Sequence, residues 1–207
     1  MKKTLLLFGF LNVISAAFGQ VWRLEGKETN NNKTRFGIRL GISVAKTHLR
    51  YDPVFYPDSD EKGARVGIIG GGLVAIRLNK KVVFQPELLL VGKGVKEIRL
   101  GYDYNNRVTY IEMPLYLLFK PEGAKGSFFI GGGPAPSFFI GENIFYSGYN
   151  YFNKFDLGLN VLAGYELPLG FSLNLQYTHG LLNVSKNEST LPIVKNRCFG
   201  LTAGYLF

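Results

Sequence analysis

The chain of 207 residues has one cysteine, Cys198, and two histidines, His48 and His179. A single cysteine forms no internal disulfide, which excludes the cross-linked scaffolds of small secreted domains. Two distant histidines and one cysteine make no metal-ligand spacing, so no metal and no cofactor is expected. The glycine-rich stretches Gly67 to Gly72 and Gly131 to Gly133 lack the Gly-Lys-Ser or Gly-Lys-Thr ending of a phosphate loop and open no helix. Past the first twenty residues no run approaches the roughly eighteen apolar residues that a spanning helix requires, which excludes a helical membrane protein. Acids are also short, with 15 Asp and Glu against 24 Lys and Arg. The net charge is +9, and removal of Lys2 and Lys3 leaves +7. The remaining bases are scattered, which excludes a nucleic-acid groove but suits contact with anionic lipid head groups.

What is present points one way. Lys2 and Lys3 precede an apolar run from Leu5 to Ile14, and Ala17-Phe18-Gly19 supplies small residues for a signal peptidase. Residues 1–19 are therefore expected to be a signal peptide cleaved between Gly19 and Gln20. Residues 20–34, with Asn30-Asn31-Asn32, are polar and without period, and are expected to be a flexible lead-in. Residues 35–207 are expected to form one domain.

That domain contains eight segments alternating with period two, at about 35–45, 65–78, 82–92, 108–120, 126–140, 154–167, 170–183 and 196–207. In the seventh, Phe171, Leu173, Leu175 and Tyr177 alternate with Ser172, Asn174, Gln176 and Thr178. In the last, Phe199, Leu201, Ala203, Tyr205 and Phe207 alternate with Cys198, Gly200, Thr202 and Gly204. Each segment is near the nine to eleven residues of a tilted membrane strand. Long links at 48–64, 93–107, 141–153 and 184–195 alternate with short ones at 79–81, 121–125 and 168–169, as in a barrel with long external loops and short periplasmic turns. The fold expected is an all-β, eight-stranded antiparallel transmembrane β-barrel. A soluble lipocalin-type barrel would show the same alternation with its apolar face inside. Aromatics near strand ends, including Phe36, Tyr165, Phe171, Tyr177, Tyr205 and Phe207, suit interfacial girdles and favour the membrane version. Pro86, Pro114, Pro134 and Pro136 fall inside proposed strands, where each removes a ladder hydrogen bond. Gly131 to Gly133 suggest a bulge or kink beside the last pair.

Several segments resemble the PorT-like outer-membrane β-barrel proteins of the Bacteroidetes type. They are Tyr110-Ile111-Glu112-Met113-Pro114-Leu115, Phe129-Ile130-Gly131-Gly132-Gly133, Gly164 to Leu173, Gln176 to Leu181 and Lys195 to Leu201. The resemblance implies an outer-membrane location and insertion by the barrel-assembly machinery, with the closing strand carrying Tyr205 and Phe207 as its recognition element. It also implies that Pro114 is tolerated, and it suggests a link to protein secretion.

Candidate sites follow from the faces. Arg39, Arg77, Glu87, Glu112, Asp156 and Glu166 lie on polar faces, and a barrel of this size has room inside only for its own side chains, so these charges should pair. Phe145, Tyr146, Tyr149, Tyr151 and Phe152 crowd the third external link, where they either bind a partner or extend the aromatic belt. Neither histidine has a nucleophile and an acid at short spacing, although His48 or His179 with Asp52 and Ser185 would be the elements of a surface hydrolase. The expected role is that of a non-enzymatic envelope component whose partners are outer-membrane lipids and other envelope or secretion proteins. A narrow channel is the alternative, and a surface hydrolase a more remote one.

Overall fold

The structure, a computed structural model, describes residues 34–50, 62–99, 102–121, 123, 126–143, 153–182 and 193–207. The signal segment with Gly19 and Gln20, nearly all of the lead-in, and the aromatic cluster from Phe145 to Phe152 lie outside these residues.

Ten strand segments follow in chain order: β1 Thr34–Arg50, β2 Lys62–Gly63, β3 Arg65–Arg77, β4 Val82–Arg99, β5 Tyr102–Glu112, β6 Leu115–Phe119, β7 Ser127–Asn143, β8 Phe155–Glu166, β9 Phe171–Gly180 and β10 Ile193–Leu206. They make eight staves, because β2 and β3 both pair with β4, while β5 and β6 both bridge β4 and β7. All pairings are antiparallel. The first stave closes on the last, from Gly37 opposite Leu206 to Arg50 opposite Ile193, and β1 pairs on its other side with β3. The fold is a closed, eight-stranded, all-β barrel.

The two faces separate by chemistry. On β9 the apolar set Phe171, Leu173 and Leu175 is outside, with Leu173 62% and Leu175 64% exposed, while Asn174, Gln176 and Thr178 are buried inside. Exposed apolar side chains on every described stave would be untenable in water at this extent, but they are what hydrocarbon requires. Aromatics mark both rims of this band. At the turn end Phe128 packs on Tyr165 at 4.6 Å, and Phe171 on Tyr205 at 4.6 Å, with Phe207 against Tyr205. At the other end Phe138 meets Phe155, and Tyr177 meets Phe199. Phe155 and Tyr165 are ten residues apart on β8, about 33 Å of strand. Tilted by about 40°, that length spans about 25 Å, the height of an outer-membrane apolar band.

The turns are built from local polar chemistry. Asn79 Oδ1 accepts from the backbone N–H groups of Lys81 and Val82 at 2.8 and 2.9 Å, which closes the β3–β4 hairpin. Gly170 adopts φ +91° in the turn from Leu167 to Phe171, a conformation that a side chain would resist. Strands on the external side run further than their apolar alternation. The segment expected as a loop at 93–107 is instead β4 continuing to Arg99 and β5 starting at Tyr102. Beyond the hydrocarbon both faces can be polar, so pairing persists where alternation fades.

The prolines leave gaps at specific seams. The β3–β4 ladder jumps from Leu73 opposite Glu87 to Ile76 opposite Phe84, skipping the ground beside Pro86. The fourth stave breaks at Met113 and Pro114, and the facing part of β7 holds Pro134 and Pro136. Pro136 O accepts from Met113 N–H at 2.8 Å, so its ring nitrogen faces the same broken seam. Pro114 O instead accepts from Glu87 N–H at 3.0 Å, so its ring nitrogen faces β4 on the other side of the stave. The bulge expected at Gly131 to Gly133 is not there. β7 runs unbroken through those glycines, and the register shifts higher up, where Ile140 is the extra residue opposite Thr109 and Tyr110. The glycines serve close approach instead, since a Cβ on Gly133 would lie 1.8 Å from Leu115 O.

Leu175→Arg, near the centre of the apolar band, should destabilise the barrel by about 2–4 kcal/mol, and Leu181→Arg, at its external edge, by about 0–1 kcal/mol. Denaturant unfolding in lipid vesicles measures both, and equal costs would contradict the assigned membrane depth.

Candidate functional site: the lumen charge network

The inward face of β3 explains how two distant charges meet. Arg39 on β1 lies opposite Gly71 on β3, and the absence of a side chain at Gly71 lets the guanidinium cross that stave toward β4. There Arg39 Nη2 pairs with Glu87 Oε1 at 2.8 Å, both side chains fully enclosed. Gln85 Nε2 donates to the same carboxylate oxygen at 2.7 Å. Arg39 Nε, Arg39 Nη1 and Glu87 Oε2 are reached by no other protein group.

A second pair stands beside the first. Lys93 on β4 is in ion-pair contact with Glu112 on β5, and its ammonium lies 5.1 Å from the centre of the Tyr110 ring. Asn160 Nδ2 from β8 donates to Glu112 Oε1 at 3.0 Å and toward the Tyr116 hydroxyl at 3.1 Å. One side-chain cluster therefore ties together β4, β5, β6 and β8.

A third group sits at the periplasmic mouth, the end with short turns. Glu166 is held by Arg35 Nη1 at 2.9 Å and by Lys120, whose ammonium also overlies the Phe129 ring. Arg35 Nη2 donates to Leu206 O at 2.8 Å. Arg77, expected inside the lumen, is instead half-exposed at this mouth and donates toward Lys80 O at 3.3 Å. It is the last residue of β3, so its inward-facing position falls beside the turn.

Between the mouth and the two inner pairs lies an apolar plug of Leu73, Ala75, Val83, Leu118, Phe129, Leu162 and Leu206. The order along single strands shows the layering. In the sixth segment Leu118 separates Tyr116 from Lys120, and in β8 Leu162 separates Asn160 from Glu166.

Asp156 stands apart at the external end of β8. Its Oδ2 accepts from Asn196 Nδ2 at 3.0 Å, and Ser137 Oγ approaches its backbone oxygen at 3.4 Å.

Lys93, Lys120 and Arg35 were not among the residues expected from the sequence. The alternation places Lys93 in a loop and Lys120 at a strand end, yet both continue the inward parity of their strands, Lys93 after Glu87, Leu89 and Val91, and Lys120 after Tyr116 and Leu118. Parity carried one or two residues further would have found them. His179 faces outward, its Nδ1 3.3 Å from the Tyr177 hydroxyl. Asp52, Ser185 and the side chain of His48 lie outside the described residues. Among the described residues no group of His, Cys, Asp or Glu could hold a metal.

A closed barrel with an apolar exterior, two aromatic rims and a charged interior is an integral outer-membrane β-barrel. The chain belongs to the family described as outer membrane protein beta-barrel domain, whose model matches residues 18–186. It is accordingly a protein of the bacterial outer membrane, in contact with its lipids. Two solved structures show the same fold. The Neisserial surface protein A is 13% identical with a TM-score of 0.50, over 83% of this chain and 97% of that one. The outer membrane protein OprG from Pseudomonas aeruginosa is 13% identical with a TM-score of 0.50, over 86% of this chain and 97% of that one. At this identity the likeness is one of fold. Comparison with curated protein sequences gives no match.

Removing one partner of the enclosed pair, as in Glu87→Ala, should cost about 3–5 kcal/mol by stranding Arg39, whereas the double change of Arg39 and Glu87 to Met should recover most of that loss. Urea unfolding of the three proteins measures it, and a single-variant cost below about 1 kcal/mol would mean that solvent already screens the pair.

Proposed function

We propose that this chain works as a non-enzymatic, non-conducting component of the outer membrane, acting through its external loops and rim. The observation that carries this reading is the filled lumen. Two enclosed ion pairs occupy its middle, and the apolar plug of Leu73, Val83, Leu118, Phe129, Leu162 and Leu206 seals the periplasmic side. An eight-stranded barrel is only wide enough for its side chains, and here they occupy it.

The aromatic side chains from Phe145 to Phe152 are the loop surface proposed to meet a partner, since aromatics on a rigid scaffold favour recognition. Tyr205 and Phe207, on the lipid-facing side of the closing strand, are proposed as the element read by the barrel-assembly machinery; their outward aromatic stacking supports this. A role in protein secretion rests on the PorT-like resemblance alone. The competing reading, a narrow channel, draws on the polar atoms of the lumen that no protein group satisfies.

Planar-bilayer recording of the refolded protein decides between the two. No stable conductance is expected, and stepwise openings that vanish in a variant with its lumen filled, such as Gly200→Leu, would establish the channel instead. In whole cells, crosslinking should capture a protein partner, and replacing Tyr146, Tyr149 and Tyr151 by Ser should lower that yield at least about fivefold, the scale of losing one hot-spot aromatic.

A further inference from the structure

Beyond the external aromatic rim, the lipid-facing side of β9, β10 and β1 turns from apolar to basic. Below the rim these strands expose Leu173 and Leu175 on β9, Leu201 on β10, and Leu40 and Ile42 on β1. The rim itself is the Tyr177 and Phe199 pair, with ring centres 4.6 Å apart. The next residue of the same parity on each strand is a base. His179 follows Tyr177, Arg197 precedes Phe199, and Lys46 follows Val44. The register sets the three in one row, with Arg197 directly opposite both Lys46 and His179. A second row pairs His48 with Lys195, and Arg50 comes next on β1. Six bases, including both histidines of the chain, thus share one parity on three adjacent staves. A step of two residues is about 7 Å of strand, so at a tilt of about 40° the rows stand about 5 and 10 Å beyond the rim. That is the depth of lipid head groups.

Among the described residues, these staves hold no anion to answer the charge. Like charges in directly opposite positions are destabilising. Yet β1 from Ala45 to Arg50, β10 from Ile193 to Cys198 and β9 from Tyr177 to Gly180 carry no Asp or Glu on either face. On the next stave Asp156 is enclosed in the lumen, where it accepts from Asn196. Across the barrel the pattern differs, because on β4 and β5 the bases Lys96 and Arg107 share their parity with the acid Asp103, which lies opposite Ile98. The unanswered basic face is therefore local to the seam that closes the barrel.

We propose that the external ends of β1, β9 and β10 bind the phosphate groups of lipopolysaccharide, the glycolipid of the outer leaflet. Depth and chemistry together choose this partner. The bases lie at head-group level on the face toward lipid, so an anion reaches them along the membrane plane. Below them the same staves are apolar, and the ligand must therefore be apolar below and anionic above. Arg197 offers a planar fork and the lysine positions offer point charges, the two side-chain types that hold phosphate. Two rows of bases suit the several phosphate and hydroxyl oxygens of one large head group better than the single phosphate of a glycerophospholipid. A soluble acidic partner would have to approach through the loops that follow Arg50 and precede Ile193. The site depends on the membrane placement of the strands and not on the state of the lumen.

The test uses the full chain refolded into phosphatidylcholine vesicles containing lipid A at rising mole fraction, with ionic strength held constant. The midpoint of the heat-modifiable gel transition should rise with lipid A, because a ligand that binds only the folded state stabilises it. Lipid A stripped of its phosphates, or inorganic phosphate added to plain vesicles, should give no rise, and phosphatidylglycerol matched for charge a smaller one. Lys46→Gln combined with Arg197→Gln should raise the lipid A fraction needed for half the response at least about tenfold. Lys96→Gln combined with Arg107→Gln, which removes the same charge across the barrel, should leave it at the wild-type value. Lys195→Gln supplies the same comparison should the first double variant fold poorly. A response to dephosphorylated lipid A, phosphatidylglycerol or inorganic phosphate equal to that for lipid A would overturn the proposal. So would an unchanged response in Lys46→Gln with Arg197→Gln, or equal losses in the two double variants, which would mean attraction of scattered bases to an anionic surface without a site.

Discussion

Closure is the constraint on which the rest of this molecule depends. In hydrocarbon an unpaired backbone N–H or C=O has no water to turn to, so a sheet can cross a membrane only when its first stave bonds its last. The long β1 to β10 register supplies that bond from the rim at Gly37 and Leu206 to the external end at Arg50 and Ile193. The rule bears hardest on proline, which brings no donor. This chain spreads its losses over three seams. Pro136 faces the stave that divides at Met113, where its O still accepts a bond; Pro114 faces β4, where its O accepts from Glu87 N–H; and Pro86 accounts for a single skip in the β3–β4 ladder. The seams without proline, β1–β10 and β1–β3 among them, keep long runs of register.

Closing eight staves also fixes how much room there is inside, and the interior chemistry follows from that scarcity. Bulky inward side chains on every stave would not fit. Gly71 is therefore as much a part of the Arg39 to Glu87 pair as the charges are, since the guanidinium crosses the stave where Gly71 leaves space. Gly180 acts in the same way for Asn196, which crosses β9 to reach Asp156 on β8. The inward glycines are the places where a side chain from one stave reaches another, so the polar network links staves that are not neighbours. Ion pairs of this kind cost desolvation and contribute little net stability by themselves. What they fix is the register of the staves that carry them, because a slip of one residue would turn each charge into lipid.

How far the sequence foretells this structure depends on which force speaks at each position. Phe171, Leu173 and Leu175 against Ser172, Asn174 and Gln176 report a boundary between lipid and lumen, and period-two reading recovers it directly. The same reading stops at Gly92 and misses β4 running on to Arg99, since outside the hydrocarbon there is no such boundary to report and Lys96, Glu97 and Arg99 carry no alternation. Arg39 and the acids Glu87, Glu112 and Glu166 are legible from their faces, but the lysines Lys93 and Lys120 are not. Lys93 and Lys120 stand where an apolar run ends, and a lysine there looks like a terminus until parity is continued through it. Gly131 to Gly133 misled in a different way. Glycine signals either a bulge or a close approach, and only the position of the neighbouring backbone, Leu115 O against Gly133, distinguishes the two.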